Sequence, residues 1–137
     1  MSFAKNTSVM LLVVSICTIF GAVGCDSDPV SPGVQPEIIN GTQSFEFQVT
    51  AVSNFTGSWS YTWDNASTFA AVDHSTVLSG GTATLVIADA SGTQVYSRSL
   101  TEDGSFSTAV GAAGDWTITV TLDHATGDLN FRVQEGT

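Results

Sequence analysis

From Ser44 onward, hydrophobic and polar residues alternate with a period of two. Phe45, Phe47, Val49 and Ala51 alternate with Glu46, Gln48 and Thr50. Trp59, Tyr61 and Trp63 alternate with Ser58, Ser60 and Thr62. The pattern returns at Ala83, Leu85 and Ile87, at Trp116, Ile118, Val120 and Leu122, and at Leu129, Phe131 and Val133. Successive side chains of a strand point to opposite faces, so this period predicts half-buried strands. Weaker stretches around Phe69 and Ala71, with Val77 and Leu78, and from Val95 to Leu100 predict further strands. No window carries an apolar stripe at helical spacing.

Between the runs lie turn-forming clusters. They are Asn54-Phe55-Thr56-Gly57, Asp64-Asn65, Ser79-Gly80-Gly81, Asp89-Ala90-Ser91-Gly92, Glu102-Asp103-Gly104, Gly111-Ala112-Ala113-Gly114 and Thr126-Gly127-Asp128. Turns at intervals of roughly 8–12 residues predict an all-β fold. The expected architecture is a two-sheet antiparallel β-sandwich, Ig-like or jelly-roll-like, with seven or eight strands. Asp115–Asp123 and Asp128–Gln134 are expected to form a hairpin across Thr126-Gly127-Asp128.

The pattern before Ser44 is different. Lys5 is followed by an apolar run from Val9 to Phe20, then by Gly21-Ala22-Val23-Gly24-Cys25. A positive start, an apolar middle and small residues before a cut are the parts of a secretory signal peptide. The run is shorter than the roughly 20 residues of a stable membrane span. Residues 26–43 hold Pro29, Pro32 and Pro36 and show no period. Proline lacks the backbone donor and disfavours helix before it, so this stretch reads as a flexible tether. Within it, Ile38-Ile39 is a candidate edge strand and Asn40-Gly41 a candidate turn. The expected organisation is a signal peptide over 1–24, an anchor residue and tether over 25–43, and a sandwich over 44–137.

Ala22-Val23-Gly24-Cys25 resembles the lipobox of bacterial lipoproteins; it differs in having Ala22 where that family prefers leucine. The resemblance implies cleavage between Gly24 and Cys25 and a diacylglycerol and acyl lipid on Cys25. It implies a protein anchored to a bacterial membrane, facing the periplasm or the cell surface. Asp26 and Asp28 resemble both the inner-membrane retention signals and the surface-export signals of such lipoproteins, and both destinations stay open. Two or three acyl chains, at about 0.8 kcal/mol per buried CH₂, hold a protein firmly without spanning the bilayer.

Charge narrows the set of partners. All 13 carboxylates lie beyond Cys25, against only Arg98 and Arg132 there. Phosphate binding needs clustered lysine and arginine, so nucleic acid is excluded as a partner. The domain beyond Cys25 also has no cysteine, hence no disulfide and no thiolate ligand or nucleophile.

The strand from Leu85 through Asp89-Ala90-Ser91-Gly92 to Tyr96, then Gly104-Ser105-Phe106, then Gly114-Asp115-Trp116, resembles small extracellular β-sandwich modules of the GOLD or pre-peptidase C-terminal kind. The resemblance covers about 50 residues and implies adhesion, cargo contact or spacing rather than chemistry.

The candidate ligand residues are Trp59, Tyr61 and Trp63, which share one face and suit either a core or a sugar-stacking platform. The alternation with Ser58, Ser60 and Thr62 favours the core. Asp73-His74 and Asp123-His124 sit at expected strand ends, where solvated histidines are the expectation. Metal is not expected from them, since zinc needs three or four converging ligands. Asp64, Asp89, Asp103, Asp115 and Asp128 are turn carboxylates able to bind Ca²⁺, but they form no calcium-loop motif. No hydrolase elbow, zincin motif or phosphate loop occurs, so a non-enzymatic module is expected. The sequence therefore points to a lipoprotein that contacts an envelope protein or glycan. The alternatives are a carbohydrate-binding lipoprotein and a Ca²⁺-stabilised adhesion module.

Overall fold

The computed structural model describes residues 34–137. They form seven strands: β1 (Glu37–Asn40), β2 (Ser44–Asn65), β3 (Ala70–His74), β4 (Val77–Ala88), β5 (Gln94–Ser99), β6 (Gly104–Ser107) and β7 (Gly114–Glu135). Among the described residues there is no helix, and all strand pairs are antiparallel. The all-β sandwich architecture holds, and its two layers are halves of one continuous sheet.

Strands β2 and β7 each run for 22 residues. Straight, such a strand would reach roughly 70 Å, far beyond the width of a 100-residue domain. Both bend instead, at the same level. In β2 the register shifts between Val49 and Gly57, with Ala51 at φ 56° and Asn54 at φ 46°. In β7 the corner falls at His124 and Gly127, at φ 48° and 137°. In β4 the register shifts around Gly80, beside Gly81 at φ 71°. Bulges bend a strand and increase its twist, so three adjacent bulged strands fold the sheet over. The inner faces then meet: the Phe45 ring lies 5.4 Å from Tyr61, and Phe47 lies 5.8 Å from Trp59.

One layer runs β1, the first half of β2, the second half of β7, β3 and β6. The other runs the second half of β2, the first half of β7, β4 and β5. Between them are buried Phe45, Phe47, Phe131, Leu85, Ile87, Ile118 and Leu129, among others. Trp63 and Trp116 face each other across β2 and β7, edge to face at 6.4 Å. Each buried indole N–H keeps a partner: Trp63 donates to Gly41 O at 3.0 Å and Trp116 to Ala112 O at 2.7 Å.

Three expectations are corrected. The hairpin at Thr126-Gly127-Asp128 is absent; Asp115–Gln134 lies within the single strand β7. Likewise Asn54-Phe55-Thr56-Gly57 is a corner inside β2, and Ser79-Gly80-Gly81 lies inside β4. The glycines serve close approach rather than chain reversal. A Cβ on Gly127 would strike the Val77 carbonyl, and one on Gly81 the His124 carbonyl. The inward face of β3 is Ala70, Val72 and His74, one residue out of step with the expected Phe69 and Ala71. Phe69 precedes the strand, and its ring lies over Gly136. The sheet also starts earlier than Ser44: β1 pairs Ile38 with Phe47 and Ile39 with Glu46. The Ile38-Ile39 edge strand thus belongs to the domain rather than to the tether.

Candidate functional site: an ion-paired groove and an aromatic flank

The outer face of the first layer carries a row of side chains in register across five strands. Ile39 in β1 faces Glu46 in β2, then Arg132 in β7, Asp73 in β3 and Ser105 in β6. A second row joins Glu37, Gln48 and Asn130. All of these but Ser105, together with Ser75, line a depression of about 310 Å³. That size is at the small end of ligand clefts. Arg132 Nη1 stands 3.9 Å from Glu46 Oε1, and Nη2 stands 3.6 Å from Asp73 Oδ2. Ser105 Oγ donates to the other Asp73 oxygen at 2.5 Å. The guanidinium is centred between two carboxylates at more than hydrogen-bond distance, so neither of them takes up its donors. Ile39, 62% exposed, adds an apolar rim. The groove therefore offers a fixed array of donors and acceptors on a rigid sheet.

The aromatic residues singled out in the sequence all face inward, opposite Val120, Ile118 and Trp116 of β7. Trp63 is fully buried and presents no face to a ligand. Trp59 and Tyr61 are half-buried, because the second half of β2 is an edge strand and the layer ends beside them. Phe55 stacks on Trp59 at 5.2 Å and 11°. Gly57 permits this: a Cβ there would meet the Phe55 ring at 2.8 Å. Trp59 in turn touches Phe47, and Tyr61 touches Phe45 and Phe47. The rings form a flank packed on itself rather than a flat open platform.

The histidines separate. His74 is 5% exposed, not solvated as expected. Its Nε2 meets the Tyr96 hydroxyl at 2.8 Å and its Nδ1 the Glu102 carbonyl at 3.0 Å. It joins β3 of one layer to β5 of the other. Burial pushes its pKa down; the Glu102 carbonyl opposes this and the charge of Arg98 adds to it. Burial also pushes the Tyr96 phenol up to about 12. Arg98 lies over the Phe106 ring at 3.9 Å, its Nε buried without a hydrogen-bond partner, and its Nη1 meets Glu102 at 3.1 Å. His124 is exposed at the β7 corner, beside Asp123.

Two of the turn carboxylates, Asp89 and Asp128, accept structural hydrogen bonds. Asp89 accepts from Ala112 N on one oxygen, and from Ser91 N, Ser91 Oγ and Thr93 N on the other. These bonds, led by that from Ala112, hold its pKa down at about 2. Asp128 accepts from Ala51 N at the β2 corner. Asp64 and Asp115 are paired across β2 and β7. Among the described residues no group of three or more His, Cys, Asp or Glu side chains gathers as a metal-ligand set.

The groove residues Glu46, Asp73 and Arg132 were not singled out in the sequence. Each is merely an outward position of its own strand, and only the strand order brings them together. Gly24 and Cys25, and with them the cleavage and lipidation site, lie outside the described residues.

No protein-family model and no curated protein matches the chain. Among solved structures it is similar to a chain of the Glycosylation Associate Protein (Gap123) complex from Streptococcus agalactiae. The identity is 12% and the TM-score 0.39, over 82% of this chain and 43% of that one. It is also similar to a chain of the infectious bursal disease virus Gt strain structure, at 12% identity and TM-score 0.28, over 79% of this chain and 33% of that one. The chain spans less than half the length of either, and at these TM-scores neither likeness bears on fold family or function.

Proposed function

We propose that the chain is a lipid-anchored lipoprotein of the bacterial cell envelope whose β-sandwich is a non-enzymatic interaction module. The anchor is supported by the sequence alone: an apolar run, then Ala22-Val23-Gly24-Cys25, then a proline-containing polar stretch. On this reading Cys25 carries the diacylglycerol and acyl chains, and the domain faces the periplasm or the cell surface. The contact role is carried by one observation, the groove in which Arg132 is centred between Glu46 and Asp73 with neither carboxylate within hydrogen-bond distance. A polar surface of this kind suits recognition of an envelope protein or glycan by hydrogen bonds.

Both halves have direct tests. Labelled palmitate fed to expressing cells should enter the wild-type chain and not Cys25→Ala, which should also leave the membrane fraction; equal labelling of both overturns the anchor. A photo-crosslinking residue at Gln48, in the groove, should give a discrete adduct in native membranes. The same residue at Ser97, in β5 at the far edge of the opposite layer, should not. Identical patterns from the two positions overturn the groove as the contact surface.

A further inference from the structure

The two halves of β2 have different neighbours. Residues 45–48 lie between β1 and β7, while residues 57–65, among the described residues, pair with β7 alone. The second half is therefore an open edge of its layer. Facing residues of antiparallel strands alternate between pairs that exchange backbone hydrogen bonds and pairs that do not, the latter with closer side chains. The hydroxyls of Ser58 and Thr121 stand 3.4 Å apart, and those of Ser60 and Thr119 3.1 Å, as in the close kind. Thr62, of the same parity, turns its carbonyl away from β7, where Asn40 Nδ2 donates to it at 2.9 Å. The N–H and C=O groups of Ser58 and Ser60 thus point outward from the sheet, and both residues are exposed.

Exposed edges are ordinarily protected by lysine, proline, inward charge or shortness. Two other edge strands, β1 and β6, have four residues each, and β5 carries Arg98. Beyond its bulged corner the β2 edge has none of these protections: from Gly57 to Trp63 there is no charge and no proline. It is a neutral strip on a molecule with 13 carboxylates.

We infer that this edge pairs with the same edge of a second copy of the chain. Two acidic copies repel one another over most of their surface, and this strip is where they meet without like charge. The register is self-complementary. With a two-fold axis at Trp59, Ser58 bonds Ser60 of the second copy and Ser60 bonds its Ser58, which uses the outward donors and acceptors of both residues. It stops short of Thr62, whose carbonyl Asn40 already occupies. On the inner side Trp59 meets Trp59 of the second copy, and the half-buried flank of Phe55, Trp59 and Tyr61 is covered by its mate. The pairing stands apart from the anchoring proposal, although confinement to a membrane plane would raise the effective concentration of copies.

The test uses the full chain in cells. One copy carries Ser58→Cys, and a second, differently tagged copy carries Ser60→Cys. Residues paired in this way stand about 5.5 Å apart at Cα, within disulfide range. Mild oxidation should join the two tags. Copies carrying Thr117→Cys, on the same outer face but one strand inward, should not join, nor should chains with only the native cysteines. In a companion measurement, the purified full chain should sediment as a concentration-dependent dimer. Ser58→Glu/Ser60→Glu should be monomeric, with an unchanged far-ultraviolet circular dichroism spectrum and a cooperative thermal transition showing that it is folded. Absence of the 58–60 crosslink overturns the pairing. So does a dimer that survives both glutamates, or an adduct of Ser58→Cys with a different protein in place of the chain itself.

Discussion

At the scale of single residues, the structure turns three polar side chains, Asp89, His74 and Tyr96, into fasteners. Asp89 accepts four hydrogen bonds from its own turn and from the loop before β7. Its pKa lies at about 2 in the folded chain, against about 3.9 for an unfolded aspartate. Between those values the unfolded chain takes up a proton that the folded chain refuses. Its contribution is complete above about pH 4 and lost as pH falls towards 2. Denaturant unfolding from pH 6 to 2 should show this decline in the wild type and a flatter profile in Asp89→Asn. His74 and Tyr96 work as a pair between the layers. The depressed His74 pKa means that stability is complete above about pH 6.5 and falls below it, as the unfolded histidine protonates first. The raised Tyr96 pKa means stability is complete below about pH 10 and falls as pH rises towards 12. Arg98, Glu102, Asp103 and the Phe106 ring surround this pair, Arg98 lowering the His74 pKa and the two carboxylates raising it. Tyr96→Phe leaves His74 Nε2 without its partner and should cost about 1–3 kcal/mol in unfolding free energy. The Asp89 turn was legible in the sequence because Asp-x-x-Gly is a local signal. The role of His74 was not, because it depends on where β3 crosses β5.

At the scale of elements, period-two patterning reported the faces of the long strands but not their continuity, and it set β3 one residue out of step. Asn54, Gly57, Gly80, Gly81 and Gly127 are the residue types of hairpin turns, and they are equally the residue types of bulged corners. Composition cannot separate the two; what separates them is whether the next strand passes alongside. β4 passes close to β7 at the corner, and the glycines there are spaces for backbone. This yields a graded expectation for glycine-to-alanine changes. Gly92 has φ 86° and nothing within 4 Å of a Cβ. Gly92→Ala should cost only the left-handed conformation, about 1–2 kcal/mol. Gly81 has φ 71° and a Cβ position blocked by the His124 carbonyl. Gly81→Ala and Gly127→Ala should each cost more than Gly92→Ala, at least about 3 kcal/mol, because backbone must also move. Thermal or denaturant unfolding of the three variants checks the order. Equal losses at all three would mean that the corners yield as easily as an exposed turn.

At the scale of the molecule, two kinds of surface emerge that no single segment shows. The layer order gathers Glu46, Arg132 and Asp73 from three strands that are far apart in sequence. The same order sets Asp64 opposite Asp115, where like charges face each other across β2 and β7. Such a pair opposes folding, so Asp64→Asn should stabilise by about 0.2–1 kcal/mol in low salt. The gain should shrink at 1 M salt, where the screening length is about 3 Å. Arg132 is the informative contrast. Its two ion pairs are long and roughly half exposed, and pairs of that kind contribute about 0–1 kcal/mol. Arg132→Ala should therefore leave the melting temperature almost unchanged. If the groove is the contact surface, the same change removes the only positive charge among its described lining residues and leaves Glu37, Glu46 and Asp73 unopposed. The adduct formed from Gln48 should then be lost while the fold persists. A variant that keeps the adduct would show that recognition does not pass through the guanidinium. A variant that loses both adduct and fold would show that those long ion pairs hold the sheet together more strongly than their distances allow.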